Sequence, residues 1–242
     1  MVSGATASKS STMVLTSDPI VVSTERESHY VSRGAHKLIG ALDSFSEIQV
    51  HGSSALDAGA STGGFTQVLL ERGAERVLAI DVGYGQLAWS VRQDPRVEVL
   101  ERTNVRHLTR EQLPWHPDLV VADLSFISLT SVIPALTECA ETDTNFVLMV
   151  KPQFEVGKDR IGDGVVREKE LRVSAVTGVV ESASRQGLDL WGVVASPLPG
   201  PSGNVEYFLW LRKSGHPIGG RSPIDQNSME SEILRAVDEG PQ

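Results

Sequence analysis

A single cysteine, Cys139, stands among 242 residues, which excludes a disulfide framework and a zinc site built from cysteines. A reducing, cytoplasmic setting is the expectation that follows. Long apolar runs are also missing. None approaches the roughly 20 residues needed to cross a bilayer, and the first residues lack the charged start and continuous apolar stretch of a signal peptide. Basic charge is in short supply: 22 Lys and Arg stand against 31 Asp and Glu, a formal charge of -9. That balance excludes a generally basic nucleic-acid coat, so any contact with phosphates must come from a local patch. Aromatic residues are only 5% of the chain, but with 40% hydrophobic residues they supply one α/β domain and a short appendage. No internal repeat is present.

Residues 1–27 are rich in Ser and Thr, with two short β-prone runs at 13–15 and 20–22, and read as a tail. From Tyr30 the pattern changes, and apolar positions at helical spacing from Arg33 to Leu42 open the main domain. Short β-branched runs then predict strands at 55–58, 77–81, 97–100, 119–123, 146–150, 190–195 and 205–211. Between them, helices are predicted at 64–72, 86–92, 129–140 and 168–186. Such alternation specifies a mostly parallel sheet covered on both faces. The last two strands are joined only by Ser196-Pro197-Leu198-Pro199-Gly200-Pro201-Ser202-Gly203, too short for a crossover helix, and so predict an antiparallel pair at the sheet edge. Residues 214–242 are polar and predict one short helix near 230–237 and a frayed tail.

The most informative stretch is Leu56-Asp57-Ala58-Gly59-Ala60-Ser61-Thr62-Gly63-Gly64-Phe65-Thr66, which runs from a buried strand through a small-residue turn into a helix. Backbone amides of such a turn face the crevice at the carboxyl ends of the strands, and small residues let a ligand approach the main chain. A tight structural turn would look the same, but other strand ends add to the signal. Asp81 and Val82 close the next strand, where a carboxylate can accept both hydroxyls of a ribose. Asn104 follows the third strand, and Asp123 and Leu124 follow the fourth. Acids and amides at successive strand ends suit an adenosine joined to an amino acid, hence S-adenosylmethionine. A nicotinamide or flavin dinucleotide fits worse, because the G-x-G-x-x-G spacing is absent and Asp57 would repel pyrophosphate.

Lys37, Asp123, Lys151 and Glu206 sit in four separate segments, each beside an element that should reach the carboxyl edge of the sheet. Taken singly, each reads as a solvated face, a cap, a strand end or an edge residue. Converging charges would have to pair, since desolvating them alone is costly. Lys151 follows the buried run Phe146-Val147-Leu148-Met149-Val150 directly, where partial burial and a neighbouring cation favour the neutral amine a general base needs. Trp89 reads as packing rather than an adenine platform, His36 as a capping or packing residue, and Cys139 as core. Residues 154–167, with Gly157, Gly162 and Gly164, form either a mobile lid or an ordinary long loop.

Together, Ser32-Arg33-Gly34-Ala35-His36-Lys37-Leu38, the glycine-containing stretch 56–66, Asp81-Val82-Gly83-Tyr84-Gly85-Gln86-Leu87, Asp123-Leu124-Ser125-Phe126-Ile127-Ser128, Val150-Lys151-Pro152-Gln153-Phe154-Glu155 and Gly203-Asn204-Val205-Glu206-Tyr207-Phe208 closely resemble the TlyA family. These are FtsJ-related bacterial 16S/23S rRNA (cytidine-2′-O)-methyltransferases, often called haemolysins. The resemblance covers about 30–212. It implies a class I, Rossmann-like α/β methyltransferase fold with a seven-stranded, mostly parallel sheet and an antiparallel C-terminal strand. It also implies S-adenosylmethionine as donor, assembled ribosomal subunits as partner, and neither metal nor membrane.

The family's Lys-Asp-Lys-Glu tetrad falls on Lys37, Asp123, Lys151 and Glu206, with Lys151 deprotonating a ribose hydroxyl. Asp57, Gly59, Ala60, Ser61, Gly63, Gly64, Phe65, Asp81, Val82, Asn104, Asp123 and Leu124 are expected around the cofactor. Phe65 and Leu124 would help keep that pocket dry. Arg33, Lys37, Lys158, Arg160 and Arg167, with Lys151 and Lys169, are expected to rim it for RNA, although a charge run can equally be a solvated face. Family members carry an N-terminal RNA-binding domain, of which residues 1–27 resemble only a remnant and linker; 28–213 would be the methyltransferase domain and 214–242 a polar helix and tail. A non-catalytic RNA-binding relic and a membrane-active haemolysin are the competing readings.

Overall fold

The computed structural model describes residues 29–157, 160–213, 217–218 and 220–241. The β-prone runs at 13–15 and 20–22 and the predicted rim residue Lys158 lie outside the described residues. All seven predicted strands are present within two residues of their expected bounds: β1 Ser54–Ala58, β2 Arg76–Ile80, β3 Val97–Leu100, β4 Leu119–Ala122, β5 Asn145–Val150, β6 Asp189–Ala195 and β7 Tyr207–Arg212. They form one sheet in the order β3-β2-β1-β4-β5-β7-β6. Strands β1 to β5 pair in parallel, whereas β7 runs antiparallel to both β5 and β6. The predicted antiparallel pair is thus at the edge, with β7 inserted inside β6.

Helices cover both faces, because alternate residues of each strand point to opposite sides. Phe146, Leu148 and Val150 of β5 join the cluster beneath α4 (Ile133–Glu138), α6 (Lys169–Arg185) and α7 (Gln226–Glu239), and a single turn, α5 (Pro152–Glu155), follows β5. Val147 and Met149 join the cluster beneath α1 (Gly34–Ser44) and α2 (Gly64–Glu71). Strands β1, β4 and β7 are buried along their whole length, as a sheet covered on both faces requires.

Three predicted helices differ in extent. The predicted helix 129–140 breaks into a 3-10 turn, Leu129–Ser131, and α4, because Pro134 has no N–H with which to continue the preceding turn. The predicted helix 86–92 shortens to α3, Trp89–Arg92, and leaves Trp89 71% exposed, so the expected packing role for this ring is corrected. The C-terminal helix is longer than predicted and is no appendage. Asp225 caps it by accepting from Asn227 N and Ser228 N, and Ile233, Ala236 and Val237 are buried in the core.

The aromatic residues concentrate where α1 meets β6 and β7. Trp210 is fully buried with its ring centroid 5.8 Å from Phe45 and 5.5 Å from Trp191, and its Nε1 donates to Asn145 Oδ1 at 2.9 Å. Replacing Trp210 by Ala should cost about 3–5 kcal/mol through lost burial and an unfilled cavity. Urea unfolding measures that loss, and a change below about 1 kcal/mol would show that the cluster does not hold the sheet edge.

Candidate active site

The parallel strands all end at one edge, and the loops leaving β1 and β4 diverge there because the chain reverses its direction of travel across the sheet between them. Crevices form at such switch points. Here two adjoining cavities lie at the edge, of about 400 Å³ and about 640 Å³, and share Gly59, Ser61, Asp123 and Ser125 as a common wall. Both volumes fall in the range of small-molecule sites.

The loop after β1 approaches the loop after β4 so closely that only glycine fits at position 59. Gly59 has φ 86°, and a Cβ there would lie 2.6 Å from the Asp123 carbonyl oxygen. Gly64 opens α2 against the start of α1, where a Cβ would meet Ser32 Oγ at 2.1 Å. The same loop is tied to β2. Asp81 accepts from Ser61 N at 2.8 Å through Oδ2 and from Gly83 N at 2.7 Å through Oδ1, which still leaves acceptor lone pairs for a ligand.

Below the loop, Asp57 is fully buried and accepts from Thr66 Oγ1 at 2.6 Å, and its Oδ1 has no hydrogen-bond partner among the described residues. Burial pushes its carboxyl up to about 7; the nearby Asp123 and Asp81 charges add to that, and the Thr66 hydrogen bond opposes it.

Two lysine–carboxylate pairs complete the edge. Lys37, on α1, lies 2.5 Å from Glu206, with side chains only 8% and 1% exposed. Lys151, the residue after β5, lies 2.6 Å from Asp123, the residue after β4, and donates to Ser125 Oγ at 2.9 Å. Lys37, Asp123, Lys151 and Ser125 all line the smaller cavity. Glu206 joins them because β7 is antiparallel: Val150 is in register with Tyr207, which sets Lys151 and Glu206 at the same end of neighbouring strands. Gly200 leaves room for the Glu206 carboxylate, since a Cβ there would come 2.7 Å from Oε1.

Comparison with known proteins places this geometry. Residues 30–213 match the sequence profile of the FtsJ-like methyltransferases. The chain belongs to the FtsJ-like methyltransferase family. It is 55% identical over 241 residues to the 16S/23S rRNA (cytidine-2′-O)-methyltransferase TlyA of Mycobacterium tuberculosis, an alignment covering 99% of this chain and 88% of that protein. A crystal structure from Lactococcus lactis, provisionally described as a hemolysin, superposes with a TM-score of 0.78 at 38% identity, covering 85% of this chain and 97% of that one. One from Streptococcus thermophilus, described likewise, gives 0.79 at 36% identity, covering 89% and 77%. More distant chains at 17% and 15% identity, described as S-adenosylmethionine-dependent methyltransferases, share the fold with TM-scores of 0.54 and 0.52.

Within this methyltransferase, the expected cofactor residues divide into two groups. Gly59, Ala60, Ser61, Gly64, Phe65 and Asp123 line the smaller cavity, and Asp81, Val82, Asn104 and Leu124 line the larger one. Asp57 and Gly63 line neither. Both are buried under the loop. Asn104 also caps a 3-10 turn, its Oδ1 accepting from Arg106 N at 3.0 Å. Of the expected rim cations, Arg33 lines the smaller cavity and Arg160 is exposed. Arg167 is paired with Asp163 at 2.8 Å, and Lys169 with Asp238 at 2.5 Å beside α7, so neither is a free cation. His36 is exposed, its ring edge-on to that of Tyr30 with centroids 5.2 Å apart.

Sequence reasoning missed Ser125, Phe126 and Arg106, all of which line the larger cavity. Phe126 is 92% exposed at φ 64°, its ring 5.4 Å from Phe154. Nothing in the residue types of Ser125-Phe126-Ile127 marks the phenylalanine as exposed, and the left-handed backbone turns its ring outward.

The state of Asp57 generates a stability prediction. Its folded carboxyl at about 7 lies above the ordinary 3.8, so between those values the native state holds a proton that the unfolded chain has released. Stability therefore falls as pH rises through that window. Asp57→Asn should remove the fall and leave the protein at least as stable at pH 7, as measured by urea unfolding from pH 4 to 7. An unchanged pH slope would show that Asp57 ionises in the native fold as freely as in the unfolded chain.

Proposed function

We propose that this protein transfers a methyl group from S-adenosylmethionine to a ribose 2′-hydroxyl of ribosomal RNA, most specifically a cytidine in assembled ribosomal subunits, and works in the cytoplasm. The observation that carries the reading is the pair of Lys–carboxylate contacts facing one cavity beside a glycine-lined loop. The TlyA of M. tuberculosis, named for 16S/23S rRNA cytidine 2′-O-methylation, supplies the substrate class.

The residues suit the donor. Asp81 keeps free acceptor lone pairs for ribose hydroxyls, Leu124 and Val82 offer apolar contact for a base, and the N-terminus of α2, which no side chain caps, faces a carboxylate. When bound, the donor supplies a methyl group activated by a positively charged sulfur. Reaction there needs proximity and a proton acceptor.

Lys151, as the neutral amine, takes the hydroxyl proton while Asp123 at 2.6 Å orients it and stabilises the ammonium that results. Lys37, held by the buried Glu206, adds positive charge where the hydroxyl oxygen becomes negative. Arg33 and Arg106 flank the two cavities and can meet the phosphates either side of the nucleotide. The outward ring of Phe126 offers a stacking face to a base drawn out of the RNA.

The test is transfer of labelled methyl to ribosomal subunits lacking the modification, followed by digestion to nucleosides. The expected product is 2′-O-methylcytidine; label on a base, or none on RNA, overturns the reading. Lys151→Ala should lower transfer by about 100-fold or more with cofactor affinity unchanged, and Lys151→Arg should not rescue it, because a guanidinium does not give up its proton. Transfer retained by either variant would remove Lys151 as the base.

A further inference from the structure

We propose that Ser125 is a positioning residue for Lys151: its hydroxyl fixes the direction in which the amine receives the substrate proton. The inference rests on the 2′-O-methyl transfer reading above and adds a fifth side chain to its chemistry. An amine nitrogen bonded to Cε has three further directions. In this protein Ser125 Oγ accepts along one of them at 2.9 Å, whereas Asp123 Oδ1 lies 2.6 Å from Nζ as an ion-pair partner without hydrogen-bond geometry. One of the remaining directions carries the lone pair when the amine is neutral.

Asp123 alone, an ion-pair partner without a directional hydrogen bond, would leave the amine free to rotate about the Cε–Nζ bond. With Ser125 accepting an N–H, that rotation is fixed, and the proton passes from the ribose oxygen along the lone-pair direction that this hydrogen bond sets. As it does so, the oxygen–methyl bond forms and the sulfur–methyl bond breaks, its electron pair staying on sulfur. A hydroxyl suits the task because it accepts from the amine and from the ammonium alike, so Nζ need not move during the transfer.

Three further observations place Ser125 for this role. It lies on the wall shared by both cavities, where donor and acceptor must meet. Its side of the loop is pinned to the Lys151 segment: Glu155 accepts from Ser128 Oγ at 2.5 Å and from Leu129 N at 2.9 Å. The next residue, Phe126, holds a left-handed backbone at φ 64°, a conformation that persists only where surrounding contacts over-determine it.

The test compares wild type with Ser125→Ala and Ser125→Thr. Transfer kinetics on ribosomal subunits give kcat and KM, and calorimetry gives S-adenosylmethionine affinity. Ser125→Ala should lower kcat about 10-fold, with KM and cofactor affinity within about 2-fold of wild type, because misaimed proton transfer slows chemistry and not binding. Ser125→Thr, which keeps the hydroxyl at an exposed position, should recover kcat to within about 2-fold of wild type. Full kcat in the Ala variant overturns the role. A Thr variant as slow as Ala also overturns it, since shape rather than the hydroxyl would then matter. If wild type itself transfers no methyl to ribose, the parent reading falls and this one with it, a result distinct from either variant outcome.

Discussion

Strand β7 enters the sheet between β5 and β6 and runs against both, so its first residues emerge at the edge where the parallel strands end. A seventh parallel strand would have delivered Glu206 to the opposite edge. Lys37 would then have faced the cleft as a buried cation without a carboxylate, a situation that costs several kcal/mol unless the charge is lost. The Pro- and Gly-rich connection between β6 and β7 makes the reversal possible. Gly200 within it also clears the space into which the Glu206 carboxylate fits. One topological choice therefore sets the sheet order, the pairing of charges and the shape of the smaller cavity.

Two lysines are set against two carboxylates in the cleft of a chain that carries -9 overall. The two pairs are not equivalent. The two lysines are almost equally buried, at 8% and 9%, but Glu206 is 1% exposed whereas Asp123 is 24% exposed. Charges in the more closed pair are screened less by water than those in the more open one.

Much of this was legible from residue order. Strand-sized apolar runs survive as strands because burial on both faces demands little more than β-branched side chains. A lysine placed immediately after one, as Lys151 is, has nowhere to go but the edge. Asp123, Lys151 and Glu206 could be placed by their positions beside such runs, whereas Lys37, inside α1, joined them only through the resemblance of its motif. Harder to read were features set by backbone angle and tertiary contact. Phe126 points outward because of its positive φ, and Trp89 is exposed because α3 spans only one turn. The polar C-terminal segment hides three core residues on one stripe of α7, a face too narrow to stand out from its composition. Asp57, an acid next to a glycine turn, is fully buried and holds Thr66 through one carboxylate oxygen, a contact that residue order does not reveal.

The loops that carry the chemistry are long enough to wander, yet each is tied to its neighbour rather than only to its own strand. Asp81 holds the β1 loop through Ser61, and the β1 loop touches the β4 loop at Gly59. Glu155 then holds the β4 loop from the segment after β5, using two hydrogen bonds to one partly buried carboxylate whose burial alone would favour protonation. The result is a chain of contacts running across four strand ends, so displacement of any one loop strains the next. Positions of reacting groups that must hold to within a fraction of an ångström are set better by such mutual bracing than by the stiffness of a single loop. Bracing also explains why the site can sit in an open cleft without the groups on its walls losing their aim.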